Sequence, residues 1–347
     1  MTAPNPVMPS QTQLSDSDVL MLRARDVKGY LADREMELIE IARAAYAAHE
    51  TGAGVSPQSV FLRFPDAPRN RIIAKPSYLG GERRVAGLKW VSSFPGNVAR
   101  GMERSSAVVM LNSADTGRVI SIVEGSIINF KRTAASAALA ALLLCAPRDG
   151  RSTGIIGCGP INFEVVRFLL ASFPEARDFH LYDLDRDRAK GFALKCRDGR
   201  LDASIRIAND VEEVLRDNSL ISIATTAMEP HISSLGECLP GTLILHISLR
   251  DIFAEAILNC DNVVDDADHV CSAQTSIHLA EQKVCNRDFI RCSLGEVLLG
   301  KARPRQDPDG VTVFSPFGLA VLDLAVAKFV YDLALLDGRG TVIDSFQ

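Results

Sequence analysis

The chain has 347 residues, too many for one ordinary hydrophobic core and enough for two domains. Its 47% hydrophobic and 23% charged content is that of a globular protein. A formal charge of −5 argues against a nucleic-acid partner, which needs a basic surface to displace counterions, but leaves room for a local cluster of cations around a small anionic ligand.

Residues 1 to about 15 read as a loose arm; they are polar, with no basic start followed by an apolar block, so no signal peptide is expected. From Ala32 to Glu50, Leu38, Ile41, Ala42, Ala45 and Tyr46 fall on one helical face. Asp33 suits the N-cap of that helix, and Gly52 and Gly54 end it. Residues 58–124 change character: β-branched runs alternate with Gly and Pro punctuation, the pattern of an antiparallel sheet. An Ala/Leu helix over 131 to about 146 follows, ended by Pro147. Its longest apolar run, Ala134 to Ala146, falls short of the roughly 20 residues of a membrane span. It reads as a core helix, and no membrane partner is expected.

Beyond it, short apolar strands alternate with helices, with strands at Ser152–Ile156, Asp178–Tyr182, Ala203–Ile207, Leu220–Ala224, Thr242–Ile247 and Asn262–Val264. This is the pattern of a parallel sheet covered on both faces. Val311 to Leu336 reads as a short strand, a Pro316-Phe317-Gly318 turn and a long apolar helix returning to the first domain. The expected fold is therefore α/β: a Rossmann-type domain over 133–312, and a discontinuous α+β domain over 1–132 and 313–347. None of the eight cysteines forms a C-x-x-C pair; reduced thiols of a cytoplasmic protein, with no metal site, are the expectation.

The strongest chemical signal is Gly157-Cys158-Gly159-Pro160-Ile161, between a strand and a helix. Gly157 permits a tight turn out of the strand. Gly159 lets backbone approach a pyrophosphate, and the next helix aims its N–H groups at that charge. Asn162 stands where the usual third glycine would pack helix on strand, and it suits an N-cap. Asp183 ends the next strand, where a carboxylate accepts from a ribose 2′-hydroxyl; with Asp185 it would repel a 2′-phosphate. The expected cofactor is NAD, although Arg186 and Arg188 are of the kind that tolerates that phosphate.

Hydride transfer with an amino acid needs cations for carboxylates and a group to move protons. Arg63, Lys89 and Arg132 suit the first task, Arg132 at the start of the Ala-rich helix, where the helix dipole disfavours a cation lacking an anionic partner. Asp251 follows the strand Thr242–Ile247, at the strand ends where this fold binds ligands. It suits either a general acid/base or the N-cap of a following helix. Thr225 lies at a strand end facing the cofactor, and His246 reads as a satisfied core histidine.

These stretches resemble the ornithine cyclodeaminase/μ-crystallin family from about residue 55 to about residue 335. The likeness rests on Gly87-Leu-Lys-Trp-Val-Ser-Ser-Phe-Pro-Gly-Asn97, Leu111-Asn112, Thr116-Gly117, Glu124, Arg132-Thr133-Ala134-Ala135, Gly157-Cys158-Gly159, Tyr182-Asp183 and Val313-Phe-Ser-Pro-Phe-Gly318. Further segments, Arg71-Ile-Ile-Ala-Lys-Pro-Ser-Tyr-Leu-Gly-Gly-Glu82, Glu124-Gly-Ser-Ile-Ile128, His246-Ile-Ser-Leu-Arg-Asp251, Val264-Asp-Asp-Ala-Asp-His269 and Phe314-Ser-Pro-Phe-Gly-Leu319, resemble a narrower branch. That branch oxidises N-[(2S)-2-amino-2-carboxyethyl]-L-glutamate to supply L-2,3-diaminopropionate for siderophores and peptide antibiotics.

The resemblance implies a homodimer joined through the first domain, and a small amino-acid substrate. It implies that Lys89 and Arg132, with Arg63 beside them, hold substrate carboxylates, and that Asp251 and Lys89 are catalytic. The cofactor contacts it implies are Arg132, Thr133, the turn Gly157 to Ile161, Asp183, Thr225, Ser248 and Ser315. Three departures separate the chain from the cyclodeaminases: Ile73 where they carry a glutamate, Ser248-Leu-Arg250 where they have a longer glycine-containing loop, and Ser315-Pro316 where they have Asp-Ser. All three count against ornithine cyclisation. The alternatives are a cyclodeaminase, a ketimine reductase or alanine-type dehydrogenase of the same fold, and, from another class, a non-catalytic NAD-binding protein.

Overall fold

A computed structural model describes residues 15, 17–81, 83–145 and 152–346. The N-terminal arm up to residue 14 and Pro147 lie outside the described residues. The chain divides into two compact units, one of residues 1–34, 52–129 and 320–347, the other of residues 35–51 and 130–319.

The first unit is built on a sheet of β1 (Val19–Leu22), β2 (Gly54–Val55), β3 (Val60–Phe64), β4 (Ala67–Leu79), β5 (Val85–Ser93), β6 (Ser105–Asn112), β7 (Val119–Glu124) and β16 (Thr341–Ile343). Its path runs β16-β1-β7-β6-β5-β4-β2, with β3 also on β4. The pairing is antiparallel, as the alternating runs predict, except that β1 lies parallel to β7. β1 and β16 are too short to show a period in the sequence; the sheet itself completes them. Residues of opposite parity face opposite sides of the sheet. Ser77, Leu79, Val85, Val109, Leu111 and Val123 are buried on the side where the helix Ala320–Asp337 packs. On the other side Val60, Leu62, Tyr78 and Trp90 are exposed.

The second unit carries β8 (Thr153–Ile156), β9 (Asp178–Tyr182), β10 (Ser204–Ile207), β11 (Leu220–Ile223), β12 (Leu243–His246), β13 (Asp261–Val264), β14 (Ile290–Ser293) and β15 (Thr312–Ser315). All pairs are parallel, in the order β10-β9-β8-β11-β12-β15-β13-β14. The strands β8, β11 and β12 are buried throughout, as strands covered on both faces must be. The order reverses between β8 and β11, the switch point at which such sheets bind ligands beyond their strand ends.

Four details differ from the sequence expectation. The helix Glu35–Glu50 belongs to the second unit, packed on the helices Pro160–Ser172 and Leu294–Leu298. Its ends are tied there, Glu35 accepting from Arg167 and Glu50 from Ser293, each at 2.8 Å. Residues 130–132 and 313–319 join the same unit, because β15 lies inside the parallel sheet. Asp33 does not cap that first helix: it takes left-handed backbone (φ 53°), and the helix begins at Glu35. The Ala-rich helix begins at Ser126, earlier than expected. The Glu124 carboxylate accepts from the backbone N–H of Ser126 (2.7 Å) and Ile127 (3.2 Å) and so caps it there. By composition this helix, Ser126–Leu144, is long and apolar enough to cross a membrane, but most of it is buried inside the protein, as a core helix is.

Candidate active site

The second unit brings most of the expected cofactor residues to the C-terminal edge of its sheet. Gly157 has φ +91°, and a Cβ there would lie 2.4 Å from the Ala224 carbonyl oxygen, so only glycine makes this turn. Before Gly159 the space is open, as approach of a pyrophosphate requires. Gly159 caps the helix Pro160–Ser172, with Pro160 at its first position and Ile161 next. Asp183 accepts from the Cys158 N–H at 2.7 Å and from the Asp185 N–H at 3.0 Å, which fixes its carboxylate beside the turn. Asp185 itself caps the following helix. Burial and the neighbouring Asp183 push the Cys158 thiol up to about 12, so it is no nucleophile.

Asn162 is not the N-cap. It is buried, donates to the carbonyls of Ile156 (3.0 Å) and Gly157 (2.7 Å), and accepts from Ser222 at 2.7 Å. A side-chain amide here ties turn to strand, the task a third glycine performs by close packing.

Asp251 is wholly buried and is not an N-cap either; Phe253 occupies that place for the helix Ala254–Leu258. Its carboxylate accepts from the hydroxyls of Thr225 and Ser248 and stands 3.2 Å from His246 Nε2. His246 Nδ1 in turn lies 3.4 Å from the Ser315 hydroxyl. Burial raises the Asp251 pKa, but the hydrogen bonds from His246, Ser248 and Thr225 outweigh it and hold the acid at about 2. Asp251 thereby ties Thr225, His246 and Ser248 together at the sheet edge.

Arg132 and Thr133 are buried in the helix Ser126–Leu144. Because that helix starts six residues before Arg132, the dipole argument no longer applies to it. Its guanidinium lies against Gly318: a Cβ on that residue (φ +88°) would fall 2.7 Å from it. Asp265 holds the same turn by accepting from the N–H groups of Phe317 (2.8 Å) and Gly318 (2.6 Å).

In the first unit Lys89 is buried on the helix-covered face of β5. Its ammonium donates to Asp323 at 2.7 Å and to Asn129 at 3.0 Å. Both partners escaped the sequence reading. Asp323 did leave a signal there: it is the one charge in the apolar run Leu319 to Ala327. Arg63 is exposed on β3, its guanidinium 5.3 Å from the Phe61 ring centroid. It stands opposite Arg71, while Lys89 stands opposite Lys75. Lys89 and Arg63 therefore share one face but lie in different rows. Among the described residues no cluster of His, Cys, Asp or Glu has a metal site's composition.

A parallel sheet with a glycine turn at its switch point and an acidic residue closing the next strand defines a dinucleotide-binding α/β protein. More particularly, the profile of the ornithine cyclodeaminase/mu-crystallin family matches residues 18–337, and the chain belongs to that family. It is 27% identical over 337 residues to N-((2S)-2-amino-2-carboxyethyl)-L-glutamate dehydrogenase of Staphylococcus aureus, covering 95% of this chain and 99% of that one. Among solved structures it is similar to Δ(1)-pyrroline-2-carboxylate reductase of Thermococcus litoralis in complex with NADH and L-proline. There the TM-score is 0.84 at 26% identity, covering 93% of this chain and 99% of the other. It is equally similar to an archaeal alanine dehydrogenase dimer with bound NAD, with a TM-score of 0.84 at 27% identity and coverage of 94% and 99%.

Two stability measurements test this geometry. Removing one partner of a buried ion pair leaves the other charge stranded, so Asp323→Ala should cost about 3–5 kcal/mol in chemical denaturation. A loss under about 1 kcal/mol would mean the Lys89 pair is not structural. The second concerns acid. Asp266 also sits at about 2, raised by burial but lowered further by hydrogen bonds from His49 and the His269 N–H. Both carboxyls lie below their ordinary value of 3.8. The stabilisation from each, about 2 kcal/mol, is therefore complete above that value and lost as pH falls through about 2. Denaturation midpoints should fall steeply below about pH 4, and less steeply in Asp251→Asn.

Proposed function

We propose that the chain oxidises N-[(2S)-2-amino-2-carboxyethyl]-L-glutamate with NAD and water to 2-oxoglutarate and L-2,3-diaminopropionate, within a siderophore or peptide-antibiotic pathway. It is an NAD-dependent oxidoreductase of amino acids, like its relatives. The observation that carries the substrate assignment is the end-to-end match to the Staphylococcus aureus dehydrogenase. Ile73 agrees with it. On the helix-covered face of β4 an isoleucine stands where the cyclodeaminases carry a glutamate, so ornithine's second ammonium finds no anion from that position.

Bound NAD would supply the acceptor for the hydride of the glutamate half's α-carbon, and water would add to the imine left behind. The C–N bond then breaks, the amine leaves with its proton as diaminopropionate, and one further proton is released. The chain's own residues bind and orient. The turn Gly157 to Ile161 would hold the pyrophosphate and Asp183 the ribose hydroxyls. Thr225, Ser248 and Ser315, joined through Asp251 and His246, would line the cofactor. Arg63, Lys89 and Arg132 are assigned to substrate carboxylates, and Asp323 holds the Lys89 side chain in place. A reducing compartment such as the cytoplasm suits eight cysteines that form no disulfide.

A second reading, an alanine- or proline-type enzyme, is favoured by the two solved structures. One assay separates the readings: protein and NAD are mixed with the aminocarboxyethyl-glutamate, L-alanine, L-proline or L-ornithine, while NADH absorbance and products are followed. NADH with both 2-oxoglutarate and diaminopropionate is the expected result. No NADH from the authentic substrate would overturn the proposal. Lys89→Ala should lower kcat/KM by about 100-fold or more.

We also propose a homodimer through the exposed face of the first unit's sheet. Val60, Leu62, Tyr78 and Trp90 share that face by register and are 37–64% exposed. An apolar sheet face of this kind marks an association site, and one similar structure is a dimer. Sedimentation should give twice 37.6 kDa for the native chain and 37.6 kDa for Trp90→Arg combined with Leu62→Glu. A native monomer would refute this interface.

A further inference from the structure

His231 stands at the same edge of the parallel sheet, in the loop that follows β11. Of the six histidines it alone is exposed, its side chain 40% open to solvent. Its Nε2 lies 3.6 Å from Asp251 Oδ1. The backbone fixes that approach. The N–H groups of His231 and Ile232 both donate to the Asp251 carbonyl at 2.8 Å, and the Phe253 N–H donates to the Ile232 carbonyl at 3.0 Å. Ile232 and Ile252, paired in this short parallel bridge, are buried, so the loop holds the ring beside the carboxylate. Asp251 does not need that ring to be satisfied: Oδ1 already accepts from Thr225, and Oδ2 from Ser248 with His246 beside it. Two histidines thus flank one carboxylate. His246 is wholly buried, away from water, whereas His231 meets it. The reaction proposed above moves protons twice, and an imidazole both takes and gives a proton near neutrality.

We propose that His231 is the acid–base residue of the hydrolytic half-reaction, with Asp251 as the group that positions it. This rests on the function proposed above. Hydride loss leaves a protonated imine. Water bonds to the imine carbon and passes a proton to the other ring nitrogen, Nδ1, while Nε2 keeps its proton toward the carboxylate. The imidazolium so formed, opposed by the Asp251 charge, returns that proton to the substrate nitrogen as the C–N bond breaks. The hydroxyl proton of the adduct leaves as the carbonyl forms, and is the one proton released. Exposure serves the same task, because each turnover consumes a water and the ring sits where solvent reaches it.

The test pairs kinetics with chemical labelling. In His231→Ala, kcat should fall about 100-fold. The first turnover should still release NADH in a burst equal to the site concentration, because the hydride step precedes the water step, and 2-oxoglutarate should lag behind it. Free imidazole in the buffer should raise the variant's rate about tenfold, and its NADH affinity should stay within about twofold of native. Labelling needs neither turnover nor a variant. Diethyl pyrocarbonate should modify His231 in the native chain's NADH complex, and added 2-oxoglutarate should slow that modification about tenfold, as read by mass spectrometry. A variant kcat within about threefold of native would overturn the proposal, as would equal losses in burst and steady-state rates or no rescue by imidazole. Labelling indifferent to 2-oxoglutarate would overturn it too, by taking the ring away from the substrate. Protection of His231 without turnover of the aminocarboxyethyl-glutamate would sink the function and leave the ring beside the substrate. Turnover with none of the His231 effects would do the reverse.

Discussion

A carboxylate taken out of water must be met by donors, and each unit is organised around one that is. In the second unit Asp251 gathers the hydroxyls of Thr225 and Ser248 and the ring of His246. The ends of β11 and β12 and the loop after β12 are thereby locked into one arrangement. In the first unit Asp323, from the helix Ala320–Asp337, meets Lys89 on β5 and fixes that helix to that strand. Neither site tolerates the loss of one partner, because the remaining group would be left buried with its charge or polarity unmet. Such arrangements add less to stability than to definition: they permit one geometry and penalise the others.

The same constraint explains why Asp251 differs from its first appearance in the sequence. A strand-end carboxylate in a dinucleotide-binding fold looks like a proton carrier. Its depressed pKa follows from satisfied hydrogen bonds, and a satisfied carboxylate gives up proton affinity for rigidity. His246, read as a core histidine, is indeed buried, yet it links Asp251 to Ser315 on the next strand of the sheet.

What the sequence made legible was whatever depends on local pattern. The glycine turn, the alternation of strand and helix and the acidic residue closing β9 each follow from neighbours along the chain. The lysine between Leu88 and Trp90 stood out for the same reason. What it concealed depends on partners distant in sequence. Asn162 looked like a cap because the polar groups it ties, Ile156 O and Ser222, lie on two different strands. The start of the Ser126 helix was missed because the cap comes from Glu124, a residue that reads equally well as the end of a strand. β1 finds its partners at residues 121–123 and 341–343, and nothing in four apolar residues announces that.

β4 shows how much function one strand can carry when its residues alternate. Arg71, Ile73 and Lys75 face one side; Ile72, Ala74 and Pro76 face the other. On the first side, exchanging a single residue changes the charge offered to a ligand without disturbing the ladder of backbone hydrogen bonds, as Ile73 in place of a glutamate illustrates. On the second side, the neighbours brought in by register, Leu62, Leu88 and Trp90, make an apolar surface that depends on shape and area instead of charge. Because the period is two, selection on one face leaves the other nearly untouched. The buried pair of Lys89 and Asp323 joins the adjoining strand to the helix Ala320–Asp337 on the first of these sides.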